Sequence, residues 1–262
     1  MSTESAPAQI RSIERAAAIL RLLSGSSSRG LGVAELAKEL CLPRGTVHSI
    51  LRTLRRERFV EQDTESSKYR LGETLLPMGF RYLEANALRV AALSGAHVLA
   101  TRTGESVRVG TLYESRVLIV HHVLRPDNSL QLLDIGSLAP LHATALGKAL
   151  LTVERDLLPQ LGAQGMPRFT TATRTDLGSL RREVAQASTR GWAVELGELS
   201  PRVASIAAPI PAGRFAKPAA IAIDGATERL FEDGIARPDL LAAVIESARD
   251  VSHRLAASRW SM

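Results

Sequence analysis

Between residues 44 and 58 the chain carries five arginines and one glutamate, interleaved with Gly45, Thr46, His48 and Ser49. Guanidinium, imidazole and hydroxyl groups are the donors and acceptors that read nucleobase edges and grip phosphates. That chemistry needs them on one side of a rigid element, and the spacing supplies one. Val47, Ile50, Leu51 and Leu54 recur at the interval of a helical apolar stripe, which leaves Arg44, Gly45, Thr46, His48, Ser49, Arg52, Arg55 and Arg56 outward. A second constellation is Ala220-Ile221-Ala222-Ile223-Asp224. In a strand, Ile221 and Ile223 share one face, while Ala220, Ala222 and Asp224 share the other, leaving room for a ligand and offering it an acceptor. Each has a plainer reading. Basic helices are often only solvated, and the alanines could simply admit a packed helix while Asp224 caps a turn.

The elements around the basic helix favour the first reading. Val33, Leu36, Ala37 and Leu40 give a preceding helix one apolar face, and Pro43 places a turn between the two helices. After the basic helix come Phe59-Val60, a polar tip from Asp63 to Lys68, and Tyr69-Arg70-Leu71, the pattern of a hairpin. Helix, turn, helix and wing together form a DNA-reading layout, with the N-terminal part of the second helix in the major groove. Lys68 and Arg70 of the wing then join Arg52, Arg55 and Arg56 on phosphates, whereas Tyr69 and Leu71 pack the wing. A further helix is expected over 12–23, with Ile13, Ala16, Ala17, Leu20 and Leu23 inward, followed by a flexible loop at 24–30.

Composition agrees without deciding. The 262 residues leave room for two domains, and the net charge of +6 suits a polyanionic partner. Residues 1–85 hold 13 Lys and Arg against 10 Asp and Glu, so charge density is higher there than in the remainder. The single Cys41 excludes an intrachain disulfide and reads as core packing at a helix end. With no signal peptide and no apolar run of membrane-spanning length, the expected location is the cytoplasm.

The rest of the chain alternates strands and helices. Residues 74–103 read as one long helix, linker first, interrupted only by Pro77 and Gly79 near its start. A hairpin follows about Glu114-Ser115, then a strand at Leu130–Leu133, helices near 144–153, 154–162 and 176–190, strands at 192–196, 203–210 and 219–224, and a closing helix over 238–257. The fold class is therefore α+β, an antiparallel sheet flanked by helices. The expected organisation is a disordered tail at 1–9, a DNA-binding domain at 10–73, a linker helix at 74–88 and a second domain at 89–258.

Enzyme motifs are absent. Leu146-Gly147-Lys148-Ala149 suggests a phosphate loop, but that motif needs Gly at 142 and Ser or Thr at 149, where His142 and Ala149 stand. There is no GxSxG, HExxH or strand-borne GxGxxG. His121 and His122 are neighbours in a strand, so they point to opposite faces, one in and one out, and cannot chelate one metal; no cluster has zinc-site spacing. His142 shapes the turn before the following helix. No metal and no cofactor are expected.

Three blocks carry a resemblance to a known family: SIERAAAILRLLS with LPRGTVHSILRTL, the wing exit KYRLGETLLPMG, and PLHATALGKALL supported by RGWAVELGELSPRVASIAAPI. The chain resembles the IclR family of bacterial transcriptional regulators over about 11–257. The segment from Val117 to Leu151 further resembles the glycerol-operon regulators of actinobacteria, a subgroup of that family. The resemblance implies an N-terminal winged helix-turn-helix, a linker helix and a GAF-like domain that binds a small-molecule effector. It also implies homodimers or dimers of dimers on palindromic double-stranded operators. By position it carries the effector contacts to Ala145, Leu146, Glu195, Ser205, Ala222 and Asp224. Ser49 stands where the family often has Arg, and Gly32 where Ser or Thr often caps. Asp224 disfavours a carboxylate ligand beside it; glycerol or glycerol 3-phosphate is the expected effector and repression the expected action. The alternative is a ligand-binding or scaffold protein with only non-specific DNA contacts, which steep salt dependence without operator preference would reveal.

Overall fold

The computed structural model describes residues 10–26, 29–127, 129–211 and 217–258. The tail expected at 1–9 and residues 27–28 of the loop expected at 24–30 lie outside them. The chain divides into two compact units, Met1–Tyr82 and Leu83–Met262.

In the first unit the order is α1 (Arg11–Ser24), α2 (Val33–Glu39), α3 (Arg44–Arg56), β1 (Val60–Gln62), β2 (Tyr69–Leu71) and α4 (Leu75–Glu84), whose last two residues fall in the second unit. The helical periodicity converges on one core of Ile19, Leu23, Leu36, Ala37, Val47, Leu51, Leu54, Val60 and Tyr69. Each fully buried aliphatic side chain contributes roughly 1.5–3 kcal/mol. Ile13, expected inward, is 63% exposed. The buried stripe of α1 is instead centred on Ile19 and Leu23, four residues apart. Gly32 starts α2 with its N–H bonded to Glu35 Oε2 at 2.6 Å, half of a capping box supplied by the glutamate. Cys41 is exposed rather than packed in the core. It takes a left-handed φ of 52° in the turn between the helices, which aims its side chain out of the hydrophobic stripe.

The wing pairs Val60 with Leu71, Glu61 with Arg70 and Gln62 with Tyr69. Asp63 Oδ1 accepts from the Ser66 amide at 2.8 Å and from the Ser66 hydroxyl at 2.7 Å, closing the tip as an Asx turn. The long helix expected over 74–103 is two. Pro77 lies in the first turn of α4, where no amide bond is lost, and Gly79 lies inside it. The break falls at Ala85-Asn86, where Asn86 Oδ1 accepts from the Arg89 amide at 2.9 Å and caps α5 (Ala87–Thr103).

The second unit continues with β3 (Ser106–Tyr113), β4 (Arg116–Val123), β5 (Leu138–Pro140), α6 (Ala145–Leu151), α7 (Leu157–Gln164), α8 (Leu177–Arg190), β6 (Ala193–Leu196), β7 (Val203–Ile210), β8 (Ala219–Ala226), α9 (Thr227–Leu230), β9 (Phe231–Glu232), β10 (Ile235–Ala236) and α10 (Pro238–Ser258). Six strands form one antiparallel sheet in the order β5-β4-β3-β8-β7-β6. One face packs Val107, Val109, Ile206, Ile221 and Ile223 with residues of α5 and α10. The other packs Ala193, Ala207, Ala220 and Ala222 with residues of α6, α7 and α8. The period-two split of β8 thus serves two cores, isoleucines toward one and alanines toward the other. Gly147 lets α6 press in, because a Cβ there would lie 2.3 Å from the Leu141 carbonyl oxygen.

No strand forms at Leu130–Leu133. Leu130 is 97% exposed and Leu132 80%. Side chains fold this segment on itself: the Gln131 carboxamide accepts from the Arg125 amide at 2.7 Å, and Asp127 Oδ1 accepts from the Ser129 amide at 2.9 Å. The strand that pairs with β4 comes later, at Leu138–Pro140.

Candidate nucleic-acid interface and ligand cleft

Arg44, Gly45, His48, Ser49, Arg52, Arg55 and Arg56 are all exposed along one side of α3, opposite buried Val47, Leu51 and Leu54; Thr46 is half-buried. His48, Arg52, Arg55 and the wing's Lys68 line one groove of about 560 Å³. Within it Arg55 donates to Gln62 at 3.0 Å, and Gln62 Nε2 donates to the Ser67 carbonyl at 3.1 Å, tying the helix to the wing. Lys68 lies 3.4 Å from Glu35, whose pKa is held below the ordinary value chiefly by the Gly32 amide and further by Lys68. Arg70 stands 3.6 Å from both Glu61 and Asp63, and Arg56 lies 3.0 Å from Glu57. Glu35 escaped the sequence reading. Its only signal was its position three residues after Gly32.

The six residues carried over as effector contacts do not share one environment. Ala145 and Ala222 have no exposure and Leu146 has 4%, all three inside the core that includes α6. Glu195, Ser205 and Asp224 align across β6, β7 and β8 in register. Glu195 Oε1 accepts from the amides of Glu198 and Leu199, the latter at 3.1 Å. Burial pushes its pKa up to about 7 against those bonds. Ser205 Oγ donates to the Ile223 carbonyl at 3.1 Å. Asp224 does not cap a turn, since β8 runs on to Ala226.

Asp224 lines an open cleft of about 390 Å³ together with Ser106, Arg108, His122, Arg125 and Arg202. Arg108 has Nη1 2.9 Å from Asp224 and Nη2 2.6 Å from Asp134. Burial disfavours its charge, but Asp224 and Asp134 prevail and hold the guanidinium above its usual pKa. His122 is Arg108's cross-strand partner, so both share the face that carries Ala222 and Asp224. Both histidines of the pair are buried, contrary to the expectation that one faces out. His121 lies 5.9 Å from the His97 ring of α5, and burial, then Arg89, lower its pKa to about 4. His142 Nε2 meets the Pro167 carbonyl at 3.0 Å and stacks on Phe169, fixing the segment before α6.

Beneath α6, Lys148 is wholly buried, 3.1 Å from Glu183, with Glu198 beside it and the Val194 carbonyl at 3.2 Å. Arg174 reaches Glu183 at 2.6 Å from the outside. Sequence reading missed Arg108, weighed His122 only as a metal ligand and Lys148 only as part of a phosphate loop, and did not see this cluster. The signal for the first two was a charged or imidazole side chain inside strands otherwise built of valine and isoleucine.

A winged helix-turn-helix with a basic recognition face, on a chain that also carries a helix-flanked antiparallel sheet with a polar cleft, defines a DNA-binding regulator with a second domain. The model of the IclR helix-turn-helix domain matches residues 12–64, and that of the bacterial transcriptional regulator IclR C-terminal domain matches residues 80–253. The chain belongs to the IclR family of transcriptional regulators, whose members here are regulators rather than enzymes. It is 45% identical over 251 residues to the glycerol operon regulatory protein of Streptomyces coelicolor, covering 96% of this chain and 98% of that one. To the protein of the same name in Streptomyces griseus it is 41% identical, covering 96% and 98%. An IclR transcriptional regulator from Alicyclobacillus acidocaldarius has a crystal structure that superposes with a TM-score of 0.80 at 27% identity, covering 95% of this chain and all of that one. Among the described residues no helix is long and apolar enough to cross a membrane.

Proposed function

We propose that this regulator is a repressor that binds a palindromic operator as a homodimer or a dimer of dimers and responds to a small hydroxylated metabolite, glycerol or glycerol 3-phosphate. The observation that carries the DNA half is the single groove lined by His48, Arg52, Arg55 and Lys68, next to the exposed N-terminal turn of α3. In this reading Arg44, Gly45, Thr46, His48 and Ser49 meet base edges, and Arg52, Arg55, Arg56, Lys68 and Arg70 meet phosphates. Arg70 is the weaker candidate, because Glu61 and Asp63 flank it and compete for its charge.

The effector half rests on the cleft at Arg108, His122 and Asp224, extended toward Ser205 and Glu195 by strand register. Ala145 and Leu146 of α6 and Ala222 of β8 then act as the wall behind the ligand. The relatives' role in glycerol operons favours a three-carbon polyol or its phosphate. Self-association has a surface to use: α4 buries none of its residues, and it exposes Leu76, Met78, Phe80 and Tyr82.

The deciding experiment is fluorescence anisotropy on DNA from upstream of the protein's own gene against scrambled DNA, with and without glycerol 3-phosphate or glycerol. Tight binding to the upstream DNA, weakened by either compound, is the expected result. Equal affinity for both DNAs at every salt concentration would overturn operator recognition at this sequence.

A further inference from the structure

At the cleft the buried His122 Nε2 has no hydrogen-bond partner among the described residues, and the buried Asp224 Oδ2 is held only by the Arg108 guanidinium. Their chemistry is complementary. The backbone amide of Asp134 points at His122 Nδ1 from 3.1 Å, and an amide can only donate, so Nδ1 is the bare, accepting nitrogen. Burial and then Arg108 lower the His122 pKa, which keeps the ring neutral at pH 7. A neutral ring with a bare Nδ1 carries its proton on Nε2. His122 Nε2–H is therefore an unused donor on a side chain only 6% exposed. Asp224 Oδ2 is ion-paired with Arg108 at 2.9 Å, but a carboxylate oxygen has two lone pairs, so it keeps capacity to accept a second bond from a group in the same cleft. A buried donor left unpaired is unfavourable, and a free donor beside a carboxylate with spare acceptor capacity calls for one group that answers both.

We propose that His122 Nε2–H and the Asp224 carboxylate together read an aliphatic hydroxyl of the effector, His122 donating to its oxygen and Asp224 accepting its proton. A hydroxyl is donor and acceptor at once. A carboxylate, a sulfate or the dianion of a phosphate ester can accept from His122 but has nothing to give Asp224. It would also face two carboxylates, Asp134 and Asp224, already sharing the Arg108 charge. The ligand class is a polyol, either free or phosphorylated at its far end. In the phosphorylated case Arg202, which lines the same cleft, is the cation at hand. This assignment rests on the effector reading above and adds the group the cleft selects and the residue that selects it.

Isothermal titration of the full chain with glycerol, glycerol 3-phosphate, erythritol and sulfate tests it. At least one hydroxylated compound should bind and sulfate should not; which of the first two binds tells the free from the phosphorylated source. His122→Phe should weaken that binding roughly tenfold or more, and His122→Gln, which keeps an N–H donor, should recover part of it. Asp224→Asn provides a second variant, read alongside melting temperatures to confirm folding. Three results overturn the pairing: sulfate binding as tightly as the polyols, unchanged affinity in a folded His122→Phe, or no binding of any of the three hydroxylated compounds. Polyol binding that depends on His122 but leaves operator affinity unchanged would instead sink the effector reading and leave the hydroxyl pair standing.

Discussion

Lys148 Nζ stands 3.1 Å from Glu183 Oε1 with none of the lysine side chain exposed. Glu198 and the Val194 carbonyl hold its other side, and Arg174 reaches the same two glutamates from the surface. A charge so placed survives only because opposite charges and a carbonyl replace its lost water. Its removal is therefore more damaging than its presence is stabilising. Lys148→Met should lower stability by about 3–5 kcal/mol, because Glu183 and Glu198 are left buried with less compensation. Urea denaturation reads this as a lower midpoint, and adding Glu198→Gln should restore part of it. A midpoint unchanged by Lys148→Met would show that the network is electrostatically idle.

Recognition and grip should separate on DNA. Arg44→Ala is expected to cost about 1–3 kcal/mol on the specific site while leaving random DNA nearly unaffected. Lys68→Ala should weaken both DNAs alike and flatten the salt slope by about one. Titrations at several salt concentrations check both. An unchanged ratio of operator to random affinity in Arg44→Ala removes that residue from base reading.

Gly147→Ala probes how closely α6 sits on the chain before it. The added methyl would collide with the backbone of Leu141, 2.3 Å from its carbonyl oxygen, and backbone cannot swing aside as a side-chain tip can. Overpacking of this kind costs about 1–3 kcal/mol. Thermal melting should fall accordingly, with operator affinity little changed at temperatures where the variant is folded.

Two buried groups should leave opposite marks on stability as pH changes. The folded-state pKa of Glu195 is raised to about 7, so its contribution is fully present below its ordinary 4.5 and is lost as pH climbs through 7. The folded-state pKa of His121 is depressed to about 4, so its contribution is present above its ordinary 6.5 and disappears as pH falls through 4. Denaturation midpoints at half-unit intervals should show Glu195→Gln losing the decline between pH 4.5 and 7. His121→Leu should lose the decline between pH 6.5 and 4. Parallel curves for wild type and variants would show that these groups titrate as they do in the unfolded chain.

The DNA-reading unit was legible because its logic is local. A stripe of Val47, Leu51 and Leu54 determines where His48 and Arg52 must point, and Pro43 sets the turn. In the sheet, alternation told which residues of β8 share a face, and Ile223 and Ala222 do serve different cores. Alternation carries no record of what stands across the sheet. Arg108 meets Asp134 across 26 positions of sequence and Lys148 meets Glu198 across 50, so neither pairing has a local trace. The misplaced strand at Leu130–Leu133 has a related origin. Three leucines imitate a buried run, yet Arg125, Asp127 and Gln131 satisfy one another and leave the leucines outside. Cys41 misled for the reverse reason: apolar neighbours suggested burial, and a left-handed turn residue turned it out.

That outward turn gives the molecule a natural attachment point. The chain has a single sulfhydryl, exposed two residues before the N-cap of α3. A maleimide dye would therefore label the native sequence at one known position, with no mutagenesis. Its emission would report the approach of a duplex to the reading helix in real time.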